Sequence, residues 1–350
     1  MMHPDRGHFP CVTVIMPIRN EAAYIRRSLG SVLAQDYPQD RLEILVVDGM
    51  SDDGTRGIVR TMIDGAWTTS GSCYPQVRLL DNPQQIVSTA LNIGLKNANG
   101  DIVVRVDGHT EIALDYVRRC VEALQQSGAD NVGGRMRPVG IDAFGKAVAV
   151  ATSTPFGVGG GRFHYSDREE WVDTVYLGAW RRDVFQRIGM FDTELVRNQD
   201  DEFNYRLRKH GGKILLSPAI RSFYVNRNSP TKLWRQYFQY GYWKVRVLQK
   251  HPRQMQPRQF VPPLFVLALV GGGLLAPVNR PVRRLWAALL TLYTGLNLVA
   301  SGITAARRGW RHLPLLPLIF GILHVGYGAG FCLGLVAFAR RWFYPNEKSS

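Results

Sequence analysis

Along this 350-residue chain, carboxylates stand in three places where side chains of their kind can do chemistry. Asp107-Gly108-His109 follows the apolar run Ile102–Val106. A carboxylate and an imidazole at that spacing suit Mn2+, and Mg2+ less well, with phosphate oxygens filling the rest of the shell. Such an ion acts as a Lewis acid for a departing diphosphate. Asp48 ends a second apolar run, Leu42–Val47, where a carboxylate can accept a nucleobase N–H. Asp200-Asp201-Glu202 is an acidic cluster after Asn198-Gln199. Crowded like charges raise a carboxyl's pKa toward the working range of a general base, which takes the proton of an attacking hydroxyl. Asp200 is the first candidate and Asp201 the second. Glu202 and Arg206 are an i,i+4 pair and read as structural. Each set alone has a plainer reading. Asp107 and His109 fit a turn aspartate beside a surface histidine, Asp48 fits a cap for the Ser51–Asp53 turn, and acids in a first helical turn complement its dipole.

The elements that must position these residues alternate. Val12–Ile18, Leu42–Val47, Val77–Leu80 and Ile102–Val106 read as buried strands. Helices are expected from Glu21 to Gln35 with Asn20 as cap, from Asp52 or Asp53, and from Pro83 to Ala98. That alternation implies a largely parallel sheet with helices on both faces. Ligands bind such sheets at the carboxyl ends of strands, where Asp48 and Asp107 fall. Residues 140–173 break the pattern, and the glycines at 157 and 159–161 predict a loop over a site. Further helices are expected at 181–188 and 200–210.

Ser229 and Pro230 then open a helix. Leu233, Tyr237, Gly241 and Val245 lie on one aromatic-rich stripe, while Lys232, Arg235 and Lys250 lie opposite. This is the pattern of a helix in a membrane interface, covering 229–258; a surface helix packed on the folded domain is the alternative. Three apolar stretches follow, about 260–278, 285–306 and 313–339, each near the roughly 20 residues a bilayer needs. Three spans within 259–340 are expected, with two spans and a hairpin as the alternative, then a polar tail from 341 to 350.

Net charge supports this division. The formal +15 is confined to the C-terminal part, since residues 1–225 carry 26 Lys+Arg against 27 Asp+Glu, and 226–350 carry 17 against Glu347 alone. Basic residues beside apolar spans fit an anionic membrane surface. A nucleic-acid partner is excluded, because that would place the charge on the folded domain. Cys11, Cys73, Cys120 and Cys332 are scattered and read as reduced packing residues of a cytosolic setting. MMHPDRGHFP lacks a signal peptide's apolar run, so the folded part is expected on the cytoplasmic side. No GxxxxGK[ST], GxSxG or HExxH motif is present.

In their order, these motifs resemble family 2 glycosyltransferases of the GT-A fold. Pro17-Ile18-Arg19-Asn20-Glu21, Val46–Thr55, Ala90–Gly94 with Ala98–Asp101, Met190-Phe191-Asp192 and Gln199–Phe203 with Arg206 carry the likeness. It covers about 12–250 and is nearest to bacterial exopolysaccharide transferases of the succinoglycan-biosynthesis type. The resemblance implies an α/β Rossmann-like mixed sheet in 1–228. It implies inverting transfer of a hexose, glucose from UDP-glucose, to a polyprenyl-diphosphate-linked oligosaccharide at a bacterial inner membrane. A polyprenyl-phosphate acceptor or a catalytically silent scaffold are the alternatives. Pro17, Arg19, Asn20, Glu21, Asp48, Asn92 and Asp107 would bind the donor. Asp107 and His109 would hold a divalent cation, and Asp200 would be the base. Gly178, Ala179, Trp180, Gln239 and Trp243 would lie on the acceptor side. The chain departs from the family in Asp107-Gly108-His109 for Asp-x-Asp and in Gln199 for Glu. Tyr242 stands where processive synthases carry Arg before Trp, so single-sugar addition is expected.

Overall fold

The computed structural model describes residues 9–68 and 76–342. Cys73, the first eight residues and the tail from 343 lie outside them. The chain divides into two compact units, one of residues 1–137 and 165–224, the other of 138–164 and 225–350.

In the first unit β1 (Val12–Ile18), β2 (Leu42–Asp48), β3 (Gln76–Asp81) and β4 (Ile102–Arg105) form the parallel half of a sheet. Every residue of β1 and β2 is buried, as expected of parallel strands covered on both faces. The crossovers are α1 (Ile25–Leu33), α2 (Thr55–Thr68) and α3 (Val87–Asn97). Helix α1 starts later than expected. Its cap position is Tyr24, and Asn20 instead takes a left-handed conformation, φ 54°, just past β1.

The rest of the sheet is antiparallel, a correction to the largely parallel reading. After β5 (Thr110–Ile112) and α4 (Tyr116–Ser127) comes β6 (Asn131–Val139). Helices α5 (Ala143–Thr152) and α6 (Pro155–Val158) precede β7 (Glu170–Trp171) and β8 (Tyr176–Arg181). Then follow α7 (Asp183–Ile188), α8 (Gln199–Lys209) and β9 (Ile214–Val225). The order is β3-β2-β1-β4-β8-β6-β9-β5, with β7 on β9. Strand β8 joins the two halves, with Trp180 opposite Val103 on one side and Asn131 on the other. Trp180 is 2% exposed and packs edge-on to Phe185, Phe191 and Phe203, sealing α7 and α8 to the sheet.

In the second unit, residues 143–152 and 155–158 form α5 and α6 where a loop was expected, and the glycines at 159 and 160 lie in a turn. Phe156 packs edge-on to Phe320 at 4.9 Å. Helix α9 (Pro230–Lys250) begins as expected, Ser229 accepting from the Lys232 backbone N–H. It is followed by α10 (Val261–Leu275), α11 (Arg280–Arg308) and α12 (Leu316–Ala337). Helices at 257–275, 280–308 and 316–337 are long and apolar enough to cross a membrane. The stripe of α9 lies against α12, where Val245, Phe331 and Phe338 form a buried cluster. Cys11, Cys120 and Cys332 are free thiols, as expected.

Trp180→Ala should lower stability by about 3–5 kcal/mol, the usual cost of emptying a buried aromatic site. Denaturant unfolding of the detergent-solubilised chain, followed by circular dichroism, measures it, and a loss below about 1 kcal/mol would contradict the core role.

Candidate functional site

The loops after β1 and β2 are laced together by side chains of the two motifs that precede α1 and α2. Asn20 Nδ2 donates to Asp52 Oδ1 at 2.9 Å, and Asp52 N returns a bond to Asn20 Oδ1 at 3.1 Å. Glu21 N donates to Thr55 Oγ1 at 2.8 Å and Ala22 N to Asp53 Oδ2 at 3.0 Å. Asn20, Met50 and Asn198 all hold positive φ next to β1, β2 and α8. Left-handed non-glycine residues cost energy and gather where a site over-determines them.

The loop after β4 sits against this pair. A Cβ on Gly108 would stand 2.9 Å from Ile18 Cγ2 and 3.0 Å from Glu21 Cγ, so only glycine allows the approach. That closeness brings His109 Nδ1 to 2.8 Å from Glu21 Oε1. Such a partner fixes the imidazole tautomer, with Nδ1–H toward the carboxylate and Nε2 left as a ligand atom. Ser28 Oγ braces the turn by donating to the carbonyls of Asp107 and Thr110.

Arg105 is the residue the motif reading missed. Its guanidinium, with the side chain 7% exposed, holds Asp107 by two bonds, Nε to Oδ1 at 2.7 Å and Nη2 to Oδ2 at 3.0 Å. Its Nη1 is buried with no hydrogen-bond partner among the described residues. Burial works against this charge, but Asp107 and Asp200 keep the guanidinium protonated above its usual range. A signal was present in the sequence: an arginine inside Ile102–Val106, two residues before Asp107 and so on the same strand face.

Asp200, in the first turn of α8, lies near enough for its charge to act on that guanidinium. Burial pushes the Asp200 carboxyl above the ordinary aspartate range; Arg105 opposes the rise, while Asp201 and Asp107 add to it. Two carboxylates from segments far apart in sequence therefore feel each other's charge. Tyr176 closes the neighbourhood, its hydroxyl 2.6 Å from Thr110 Oγ1. Glu202 is 3% exposed and bound to Arg206, which also donates to the Met190 carbonyl, the structural pairing expected of it.

Other expected site residues are placed differently. The Asp48 carboxylate is fully buried and accepts from Ser51 Oγ at 2.5 Å, Ser51 N at 3.1 Å and Arg56 Nη1 at 3.0 Å. These contacts shape its own turn. Asn92 is not free for a donor, because its amide clamps Phe191, donating to the carbonyl at 2.8 Å and accepting from the N–H at 3.0 Å. Pro17 is buried in β1, whereas Arg19 is exposed beside Gly49. Ala179 and Trp180 are sealed in the sheet and offer no surface to an acceptor, since the backbone turns at Leu177 and Gly178, both at positive φ, direct them inward. Gln239 and Trp243 belong to the second unit, where Trp243 Nε1 donates to Gln239 Oε1 at 3.0 Å.

Asn92→Ala should cost about 1–3 kcal/mol by leaving the Phe191 N–H unpaired. Thermal unfolding measures it, and an unchanged midpoint would contradict the clamp on Phe191.

Comparison with known proteins gives the family and the fold. The sequence profile described as "Glycosyl transferase family 2" matches residues 13–189. The succinoglycan biosynthesis protein ExoA of Rhizobium meliloti (strain 1021) is 31% identical over 336 residues, covering 94% of this chain and 96% of its own length. A dolichyl N-acetyl-alpha-D-glucosaminyl phosphate 3-beta-D-2,3-diacetamido-2,3-dideoxy-beta-D-glucuronosyltransferase of Methanococcus voltae is 29% identical over 245 residues, 68% of this chain and 74% of its own. Among solved structures, the mannosyltransferase PcManGT from Pyrobaculum calidifontis, in complex with GDP-Man and Mn2+, shares the fold with a TM-score of 0.57. Its identity is 23%, covering 99% of this chain and 90% of that one. With a GT-A mixed sheet and the motifs of that profile at its strand ends, the chain belongs to glycosyl transferase family 2 and is a glycosyltransferase.

Proposed function

We propose that this glycosyltransferase moves glucose from UDP-glucose to a polyprenyl-diphosphate-linked oligosaccharide by one inverting displacement, at the cytoplasmic face of a bacterial inner membrane. The observation that carries this reading is the Asp107–Arg105–Asp200 arrangement, which sets a metal-binding type of carboxylate beside a carboxyl of raised pKa. The names of the similar proteins, succinoglycan biosynthesis and a dolichyl-phosphate-linked sugar, support a lipid-linked acceptor.

Asp200 takes the proton of the acceptor hydroxyl as its oxygen attacks the anomeric carbon and the bond to the diphosphate breaks. A single base suffices for one displacement, which inverts the configuration. Arg105 holds Asp107 in one orientation and limits the rise in the Asp200 pKa. The Pro17–Glu21 loop lines the nucleoside side, with Arg19 exposed there. Base reading by Asp48 requires a nucleobase N–H to replace one of its contacts with Ser51.

The residues present fit a divalent cation shared with the substrate. Each Asp107 oxygen keeps a lone pair beyond its bond to Arg105, and Glu21 leaves His109 Nε2 available. No group of three or more such ligands occurs among the described residues, so diphosphate oxygens would complete the shell. Mn2+ or Mg2+ held by Asp107 and His109 would supply Lewis-acid charge to the departing diphosphate.

Asp200→Asn should lower kcat by roughly 10²–10⁴-fold with donor binding retained, measured by transfer from radiolabelled UDP-glucose and by titration of UDP. An unchanged rate would remove Asp200 from the mechanism. Because a base must be ionised, activity is lost as pH falls through the Asp200 pKa, so the acid limb should lie above the free aspartate value of about 3.9. Arg105→Met should move that limb higher. Chelation should abolish transfer, and added Mn2+ or Mg2+ should restore it; activity that survives EDTA contradicts the metal role.

A further inference from the structure

We propose that only the hairpin of α10 and α11 crosses the bilayer, and that α12, although apolar enough to cross, stays with α9 on the side from which α10 enters. Length and hydropathy do not separate the three helices, but burial does. The most apolar windows of the first two are 11% and 17% buried within the protein, and that of the third is 44%. More of α12 is covered by protein than of either other helix, although Leu318, Leu333 and Val336 stay exposed.

Much of that cover is α9, which runs parallel to α12. A Cβ on Gly326 would meet Trp234 and Tyr237, one on Gly330 would overlap the backbone of Phe238, and one on Gly334 would meet Tyr242 and Val245. Further along, Gln249 Nε2 donates to the Phe338 carbonyl at 2.9 Å. Three glycines four residues apart thus let the two backbones approach along one face. Gly326 lies near the middle of α12. Were α12 a span, Gly326 would sit near the bilayer midplane and its partners would be carried to the same depth. Between those partners lie Arg235, which is exposed, and Gln236, and the exposed Lys232 is one turn away. Charged side chains at the hydrocarbon centre are among the costliest placements a membrane protein can make. The first half of α12 is covered in a similar way, for His324 Nε2 lies 2.8 Å from the Phe156 carbonyl oxygen of α6.

The hairpin is built differently. Leu264, Leu267 and Val270 of α10 and Leu285, Leu292 and Val299 of α11 are all more than half exposed. Its inner seam seals itself, with Trp286 donating to the Leu269 carbonyl at 2.9 Å and Phe265 stacked on Tyr293 at 4.4 Å. Its contacts with α12 run through Pro262, Val266 and Asn297, and through Tyr293 near the middle of α11, whose hydroxyl lies 3.1 Å from His324 Nδ1.

Charge points the same way. Residues 251–342 hold ten arginines and no lysine. Two crossings leave only Arg280, Arg283 and Arg284, at the hairpin tip, on the far side, and keep the other seven together. Three crossings would also move Arg340 and Arg341 across, leaving five of these arginines on each side, with Lys244, Arg246 and Lys250 of α9 beside the near five. Basic residues concentrate on the cytoplasmic side of spans, and the two-crossing arrangement gives the stronger asymmetry.

The inference rests on the membrane placement proposed above, and the experiment separates the two. In bacterial cells expressing the full chain, Val278→Cys at the tip and Ser350→Cys at the tail are treated with a membrane-impermeant maleimide, the parent chain serving as blank. Val278→Cys should label in intact cells, and Ser350→Cys only after permeabilisation. Labelling of Ser350→Cys in intact cells shows that α12 crosses and overturns the proposal, as does a Val278→Cys that needs permeabilisation. Alkaline phosphatase fused after Ser350 gives an independent reading; it should be inactive, and an active fusion overturns the proposal. Recovery of the chain in the soluble fraction after lysis would sink the membrane placement itself.

Discussion

A buried guanidinium can persist only where its charge is compensated, because removing an isolated ion from water costs far more than a fold can offset. Arg105 meets that condition with the Asp107 carboxylate bound at two points and Asp200 close by. The constraint also acts in reverse. Asp107 is held in one orientation by a fork it cannot leave without exposing a buried cation. Asp200 has its proton affinity set by the competition between burial and that same cation. Residues of β4 and α8 thereby act on each other through charge, although nearly a hundred residues separate them.

Around that point the architecture is a set of short, directional bonds between strand-end loops. Asn20 with Asp52, and Glu21 with Thr55, join the first two loops. Glu21 then reaches His109 in the third. Glu21 thus links the first loop to the imidazole by one carboxylate. The left-handed residues Asn20, Met50 and Asn198 sit at these junctions, where the bonding pattern holds conformations that a free chain would leave.

In the second unit the governing fact is the close approach of α9 and α12. Small residues at Gly326, Gly330 and Gly334 exchange lipid or water contact for helix contact. An amphipathic helix and an apolar one of similar length become partners, and the polar side of α9 then constrains where α12 can lie. Hydropathy alone does not distinguish α12 from the two helices before it; its packing partner does.

Much of this protein was readable in its sequence for a physical reason: buried parallel strands need uninterrupted apolar runs, and their ends need turn formers. Val12–Ile18 and Leu42–Asp48 therefore announced β1 and β2, and Asp107 and Asp200 stood out as acids at element ends. Ser229-Pro230 marked the start of α9 by local capping chemistry. What depends on partners distant in the chain was not readable. The antiparallel half of the sheet pairs strands with no shared local signal. Asn92 looks like a ligand side chain until Phe191 is placed against it, and Trp180 like an acceptor surface until three phenylalanines enclose it. The nearness of Asp200 to Arg105 and Asp107 exists only once the chain between them has folded. Periodicity and capping act over a few residues and are written in order along the chain, whereas charge compensation and close packing act across space and were decided by the tertiary structure.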